Sequence, residues 1–276
     1  MLARTTAEAY ISVAETFDAV AESYDDTFTD SAIGRAQRQS VWRIIDRTFR
    51  PGQRILEINC GTGVDAKHMA EQGIRVLACD ASSGMINEAR RRMEVSKGRD
   101  LVDLKALATE KIHHLAGEDL FDGVLSNFAG LNCAADLKSV ARDLAPLVCR
   151  GGRAILCLFG RACIWEILWY AARIDLPRAF RRLRPGGCLA SIAPGRRVQV
   201  RYPSVRSLRQ DFLPYFRLLG WEGVGVAVPP SYLDGLAAQF PRALRWAARV
   251  DPLLGRVPLL RAMADHLVLT LERSAE

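Results

Sequence analysis

Two apolar rhythms alternate along the chain. Short unbroken runs, RILEI at 54–58 and IRVLAC at 74–79, suit strands buried on both faces of a parallel sheet. Between them Asp65 to Gln72 has helical spacing, and Gly73 supplies a C-terminal stop. Upstream, Arg35 to Phe49 reads as a helix with Ile33, Val41, Ile44 and Ile45 as its stripe, ended by Pro51-Gly52. Downstream, Ser82-Ser83-Gly84 is an N-cap signal before a helix over Met85–Glu94. Asp100–Leu107 reads as a weaker strand, Phe121–Ser126 as a strand and Leu137–Val148 as a helix. Arg150-Gly151-Gly152 reads as a turn and Arg153–Phe159 as a strand. Strands separated by helices predict a doubly wound α/β fold with a parallel sheet.

The ends of the chain follow other patterns. Residues 5–24 read as helical, with Tyr10, Val13, Phe17 and Val20 on one side. After residue 160 the alternation breaks. Residues 161–184 predict an amphipathic helix or helix pair, with Ile164, Trp165, Ile167, Leu168, Trp169 and Tyr170 on its apolar side, stopped by Arg184-Pro185-Gly186-Gly187. Arg196–Tyr202 alternates like a strand. Ser204–Gly220 reads as a helix bent near Pro214, and Glu222–Val228 and His266–Leu271 as strands. The proline-rich stretch 231–264 between the last two reads as a helical insertion. A single domain over 1–276 is expected, with helices at 1–50 covering a cofactor and a core half at 51–160. Insertions at about 160–202 and 229–264 are expected to form a lid over the carboxyl end of the sheet.

Composition narrows the function classes. An apolar content of 49% and a charged content of 25% are ordinary for a globular protein. The N-terminal stretch lacks a signal-peptide apolar core, and no window of 18 residues is apolar and uncharged. Seven scattered cysteines without a CxxC pair or zinc spacing fit a reducing cytosol, and no metal site is expected. The net charge is +7; residues 161–201 hold nine arginines and two acids, a surplus equal to the whole. That segment reads either as a surface for an anionic partner or as a solvated helix face.

Candidate chemistry centres on Cys60-Gly61-Thr62-Gly63, a loop between the first two strands that brings backbone N–H groups close to a ligand. With Asp80 at the carboxyl end of the second strand, it marks a site where open α/β sheets bind ligands. Gly61-x-Gly63-x-x-Ala66 matches a dinucleotide pattern formally, and weakly. Glu57 inside the strand argues otherwise, since a carboxylate repels pyrophosphate and suits a ligand bearing an ammonium group.

ILEINCGTG resembles the first motif of the class I S-adenosylmethionine-dependent methyltransferases that act on small molecules, with Glu57 in the acidic position. FDAVAESYD (17–25) is similar to their FDxxAxxYD element, and DASSGMINEAR (80–90) to their DxSxxMLxxAR segment. FDGVLSNF (121–128) and RGGRAILCLFG (150–160) resemble their fourth and fifth strands. The resemblance implies a Rossmann-like seven-stranded sheet, mostly parallel with an antiparallel last strand. It also implies S-adenosyl-L-methionine as cofactor. It assigns cofactor contacts to Tyr24, Glu57, Asn59, Cys60, Gly61, Thr62, Gly63, Asp80, Ala81, Met85, Leu107, Ala108, Asn127 and Phe128. In that assignment Tyr24 closes over the cofactor, Asp80 accepts the ribose hydroxyls and Met85 packs on adenine. Two departures stand out: no acid falls near Leu107-Ala108-Thr109, and Asn59 replaces a glycine.

Methyl transfer from a sulfonium needs alignment more than acid–base machinery, so Tyr24 and Asn127 are the only catalytic candidates. Asn127 and Asn132 read equally as substrate contacts or loop caps. Ser126-Asn127-Phe128-Ala129 lacks the proline pair of amino-methylating enzymes, and Cys133 lacks the Pro-Cys of pyrimidine methylases, so nucleic acid is disfavoured. His68, His113, His114 and His266 read as solvated or structural, Cys60, Cys79 and Cys133 as packed spacers. Tyr202, Tyr215 and Tyr232 read as lining an acceptor pocket or as packing the lid, with packing favoured. The expected acceptor is a small hydrophobic or aromatic molecule, with an anionic group as an option. Two other readings stay open: a peripheral-membrane enzyme docked through 161–184 that methylates a lipid or quinone-like molecule, and a non-catalytic cofactor-binding partner. The expected location is cytoplasmic, with membrane association under the second reading.

Overall fold

The computed structural model describes residues 12–274. Its centre is a seven-stranded sheet built from β1 (Arg54–Ile58), β2 (Arg75–Asp80), β3 (Val102–Ala106), β4 (Phe121–Ser126), β5 (Val148–Phe159), β8 (Phe216–Val224) and β9 (His266–Arg273). The spatial order is β3-β2-β1-β4-β5-β9-β8. β1 to β5 run parallel, and β9 is antiparallel to both β5 and β8. β6 (Cys188–Ala193) and β7 (Arg196–Val200) form a separate hairpin.

The helices are α1 (Val13–Asp18), α2 (Ala21–Tyr24), α3 (Ala32–Thr48), α4 (Val64–Glu71), α5 (Ser83–Glu94) and α6 (Leu137–Leu144). They continue as α7 (Ile164–Ala171), α8 (Leu176–Ala179), α9 (Val205–Phe212), α10 (Asp234–Ala237), α11 (Pro241–Leu254) and α12 (Pro258–Arg261).

Both sheet faces are covered, which is why the strands read as continuous apolar runs. On one face Leu56, Ile58, Leu77, Val124 and Leu156 meet Val140, Ala141 and Leu144 of α6 and Leu208 and Phe212 of α9. On the other, Ile55, Val76, Ala78, Leu125 and Ile155 meet Val41, Ile44 and Ile45 of α3 and Met69 of α4. Residues two apart share a strand face, so Glu57 faces α3 and α4 along with Ile55. Strand order reverses between β1 and β4, and the segments leaving both strands flank that crevice.

Several expectations change. The helix expected over Leu137–Val148 ends at Leu144, and Arg150-Gly151-Gly152, read as a turn, lies within β5. The helix expected over 5–24 breaks at Ala19-Val20 into α1 and α2; residues 5–11, with Tyr10, lie outside the described residues. After α2 a π turn, Asp25–Thr29, follows, with Asp30 N–H bonded to the Asp25 carbonyl at 2.7 Å. The helix expected over Ser204–Gly220 ends at Phe212, before Pro214. Phe216–Gly220 belongs instead to β8, which extends to Val224 rather than Val228. Its half-apolar pattern fits an edge strand, paired on one side only with β9. The strand read at Arg196–Tyr202 has a partner, Cys188–Ala193, across the turn at Gly195 (φ 70°).

The two insertions attach to different elements. The chain after β7 is tied to the turn after β4: Asn132 accepts from Phe159 N–H (2.9 Å) and donates to the Arg201 carbonyl (2.6 Å). The second insertion lies on α3, where Asp234 accepts from Ile33 N–H at 2.9 Å. Leu233, Leu244, Ala247 and Ala248 pack with Ile33 and Val228.

Candidate active site

The glycine loop leaves β1 with Asn59 (φ 57°), Gly61 (φ 54°) and Gly63 (φ 74°) in the left-handed region. Asn is among the few non-glycine residues that tolerate it. The Asn59 amide donates to Thr109 Oγ1 (2.8 Å), and its carbonyl accepts from Ser126 Oγ (3.2 Å). The extra bulk therefore ties the loop to the chain after β3 and the end of β4. A Cβ on Gly61 would meet open space, whereas one on Gly63 would lie 2.8 Å from the Ala89 Cβ of α5.

Asp80 closes the loop from β2. One carboxylate oxygen accepts from Gly61 N–H and the other from Ser82 N–H, both at 2.9 Å. Burial raises its pKa, and those two bonds oppose the shift. Cys60, Thr62 and Met85 are buried, while Ala81, Leu107 and Ala108 are half-buried. Leu107 N–H donates to the Asp80 carbonyl at 2.8 Å, so the end of β3 is pinned beside the same carboxylate.

The FDAVAESYD segment spans both loops. Asp18 accepts from Ser82 Oγ (2.6 Å) and Gly84 N–H (2.8 Å) at the start of α5. Asp25 accepts from Thr62 Oγ1 (2.7 Å) and pairs with Arg92 of α5. Arg92 also donates to the Thr62 carbonyl at 2.8 Å. Tyr24 is thereby held over the loop, and burial pushes its hydroxyl pKa up to about 12. Arg38 opposes that shift, while Asp80, Asp25 and Asp65 add to it.

Beneath the loop lies a polar centre that pattern reading did not reveal. Asp65, buried in the first turn of α4, accepts from Arg38 (2.7 Å), the Trp42 indole (2.6 Å) and the Asn127 amide (2.8 Å). The Asn127 side-chain carbonyl accepts from Phe128 N–H at 2.8 Å. Asn127, a catalytic candidate from sequence, thus has both ends of its amide engaged within the protein. The guanidinium of Arg38 lies over the Phe128 ring at 4.5 Å. Neither Asp65 nor Arg38 is marked by a local sequence signal, because the partners that define them lie more than twenty residues away.

Glu57 completes the centre. It is 1% exposed, and its Oε2 has no hydrogen-bond partner. Burial raises its pKa well above the carboxylate range, with Asp65 adding and Arg38 opposing. Glu57, Asp65 and Asp80 therefore bring three acids to the loop; of the cations beside it, Arg38 is taken by Asp65 and Arg92 by Asp25. An orphaned buried carboxylate in an acid-rich pocket calls for a cationic ligand.

Aromatic rings continue from this point along the carboxyl end of the sheet. Tyr24 and Phe28 are 5.9 Å apart between centroids, Phe28 and Phe128 5.0 Å, and Phe128 and His266 5.3 Å. Phe159 lies 4.6 Å from His266 and 6.4 Å from Tyr202. His266 is buried, and that burial lowers its pKa, with Asp265 beside it opposing the shift. The other histidines stand apart: His68 bonds Asp46 at 2.7 Å and stacks on Trp42, and His113 and His114 are exposed.

The basic insertion differs from expectation in two arginines. Arg181 and Arg182 both turn inward to Glu166, itself 1% exposed, and Arg182 also reaches Asp265 at 2.6 Å. Burial of Glu166 and Asp265 requires such partners.

Comparison with known proteins agrees with this geometry. Residues 55–152 match the family model described as a methyltransferase domain. The demethylmenaquinone methyltransferase of Symbiobacterium thermophilum is 33% identical over 150 residues, 52% of this chain and 57% of that protein. The chain thus spans little more than half the length of such relatives. Among solved structures, the CcbJ methyltransferase from Streptomyces caelestis superposes with a TM-score of 0.61 at 15% identity, covering 94% of this chain and 98% of that one. A DhpI–SAH complex superposes with a TM-score of 0.58 at 16% identity, covering 94% of each chain. Residues 55–152 thus match a methyltransferase domain, the chain shares the fold of solved methyltransferases, and the cofactor these comparisons indicate is S-adenosylmethionine. Its site fits that cofactor: Glu57 has an open valence for an ammonium, Gly61 leaves room beside the backbone, and Asp80 is fixed yet partly exposed.

Proposed function

We propose that the protein methylates a small, hydrophobic aromatic acceptor of the quinol class. The observation that carries this reading is the row of rings from Phe28 through Phe128, His266 and Phe159 to Tyr202 beside the cofactor loop. A flat apolar ring gains dispersion and edge-to-face contact on such a row. The name of the Symbiobacterium relative, which acts on demethylmenaquinone, supports the same acceptor class.

When bound, S-adenosylmethionine supplies a methyl group on a positively charged sulfur, an already activated leaving group. The chain's own residues then have three tasks. Glu57 and Asp80 hold the two ends of the cofactor by charge and hydrogen bond. Tyr24, Phe28 and Phe128 exclude water above the loop. Asp65, through Asn127 and Arg38, keeps Phe128 in place. Positioning of this kind supplies roughly 7–11 kcal/mol.

The test combines calorimetry with labelled methyl transfer to a panel of naphthols, catechols and prenylated quinols. Binding of S-adenosylhomocysteine is expected, with Asp80→Ala weakening it at least ten-fold by leaving hydroxyls unpaired. Label is expected in the aromatic acceptors and not in tRNA or duplex DNA. Cofactor binding with no label in any acceptor would support a non-catalytic partner instead. Unchanged affinity in Asp80→Ala would overturn the placement of the site.

A further inference from the structure

Large apolar side chains exposed among the described residues gather in the two insertions. One such run is residues 240–261, which hold five arginines and one acid, Asp251. That acid is buried and accepts from the N–H groups of Gly225 (3.0 Å), Ala227 (2.7 Å) and Val228 (3.2 Å). α11 turns Leu244, Ala247 and Ala248 onto the patch around Ile33. Its opposite face carries Arg242, Arg245, Trp246, Arg249 and Leu253, at helical spacings of three and four. Trp246 and Leu253 are each 66% exposed, and Leu259, on α12, is 82% exposed. Among the described residues Arg242, Arg245 and Arg249 form no ion pair; Arg256, beyond them, is held by Glu222 at 3.2 Å.

A face of cations, an indole and leucines without an exposed acid has the composition of a helix lying in a membrane interface. Trp favours the headgroup level, where its ring is dry and its N–H wet. Two copies of this face would bring like charges together, which argues against self-association. No helix among the described residues is long and apolar enough to cross a membrane. We propose that the outer face of α11, with Leu259 and Leu260 of α12, docks this protein on an anionic lipid bilayer. The surface differs from the 161–184 helix suggested by sequence, where Arg181 and Arg182 are consumed by Glu166. α11 packs against α3, which supplies Arg38 to the candidate site, so a docked protein has its site close to an apolar acceptor's own solvent. That purpose rests on the methyltransferase reading; the docking itself does not.

The experiment is co-sedimentation of the full chain with vesicles of phosphatidylglycerol and phosphatidylcholine, against phosphatidylcholine alone, at low and high salt. Wild type is expected to pellet with the anionic vesicles and to leave them at high salt. The triple variant Arg242→Gln, Arg245→Gln, Arg249→Gln is expected to bind roughly 100-fold more weakly, since each cation near such a surface contributes roughly five-fold. Trp246→Ala should also weaken binding, and its S-adenosylhomocysteine affinity, with that of the triple variant, should match wild type. That control separates a lost surface from a lost fold and from failure of the methyltransferase reading. The proposal is overturned if wild type stays in the supernatant at low salt or if the triple variant binds as wild type does. It is equally overturned if the face instead mediates a concentration-dependent dimer or duplex DNA binding with no vesicle binding.

Discussion

Replacing Asp65 with alanine removes one carboxylate and strands three donors. Arg38, 6% exposed, loses the partner 2.7 Å away; the Trp42 indole and the Asn127 amide lose theirs at 2.6 and 2.8 Å. Breaking a buried ion pair from one side costs about 3–5 kcal/mol, and each stranded neutral donor about 1–3 kcal/mol. The terms do not add, because the three donors share one acceptor. Glu57 also offers relief: it feels Arg38, and losing Asp65 removes a like charge that helps keep it protonated. An ionised Glu57 would then serve as a second-best partner for Arg38. The expected loss is therefore about 4 kcal/mol, equivalent to a fall in thermal midpoint of about 10 °C for a chain of this size. Urea unfolding followed by circular dichroism, with linear extrapolation, gives the free energy directly. The double variant Arg38→Met, Asp65→Leu should recover much of the loss, since it leaves no buried charge unpaired. A loss under about 1 kcal/mol, or a double variant no more stable than the single, would refute the role assigned to this centre.

Three further outcomes are expected. Gly63→Ala should cost stability by about 1–3 kcal/mol, since a Cβ there meets Ala89 at 2.8 Å and φ is 74°; an unchanged urea midpoint would show that α5 gives way freely. Tyr24→Phe should lower turnover about ten-fold while cofactor affinity moves by less than a factor of three, if its hydroxyl acts beside the transferred methyl; equal turnover would leave Tyr24 as packing. Glu57 has its pKa raised by burial, so its contribution to stability is fully present below the ordinary value of 4.5 and is lost as pH rises through the folded value. A cationic ligand favours the ionised form, so cofactor binding should release a proton and tighten as pH rises through that range. Calorimetric enthalpies that depend on buffer ionisation heat in wild type, and not in Glu57→Gln, are the expected signature; buffer-independent wild-type enthalpies would remove Glu57 from the cofactor contacts.

The cofactor end of the molecule was legible because its signals are local. Left-handed turns demand Gly61 and Gly63, buried strands demand RILEI and IRVLAC, and Asp80 follows its strand directly. FDAVAESYD was legible only as a motif. Its tyrosine drew notice, whereas Asp18 and Asp25 prove to be the residues that tie it to Ser82, Thr62 and Arg92. The first half of β8 was missed because an edge strand paired on one side has no clean alternation, and Phe216–Gly220 suits a helix equally well. Nothing in the spacing of Arg182 and Asp265, 83 residues apart, marks them as a pair.

By itself, then, the sequence determined the order of strands and helices up to residue 160, the left-handed loop and the acid that follows the second strand, since each depends on residues within one turn or one strand of each other. Only the tertiary structure decided which charges are spent. Arg181 and Arg182 are buried against Glu166 and Asp265, Asn127 is bound to Asp65, and Arg242, Arg245 and Arg249 remain on the outside of α11. The physical reason is that a charged side chain's role depends on its dielectric surroundings and on partners brought close by packing, and neither is encoded in its neighbours along the chain.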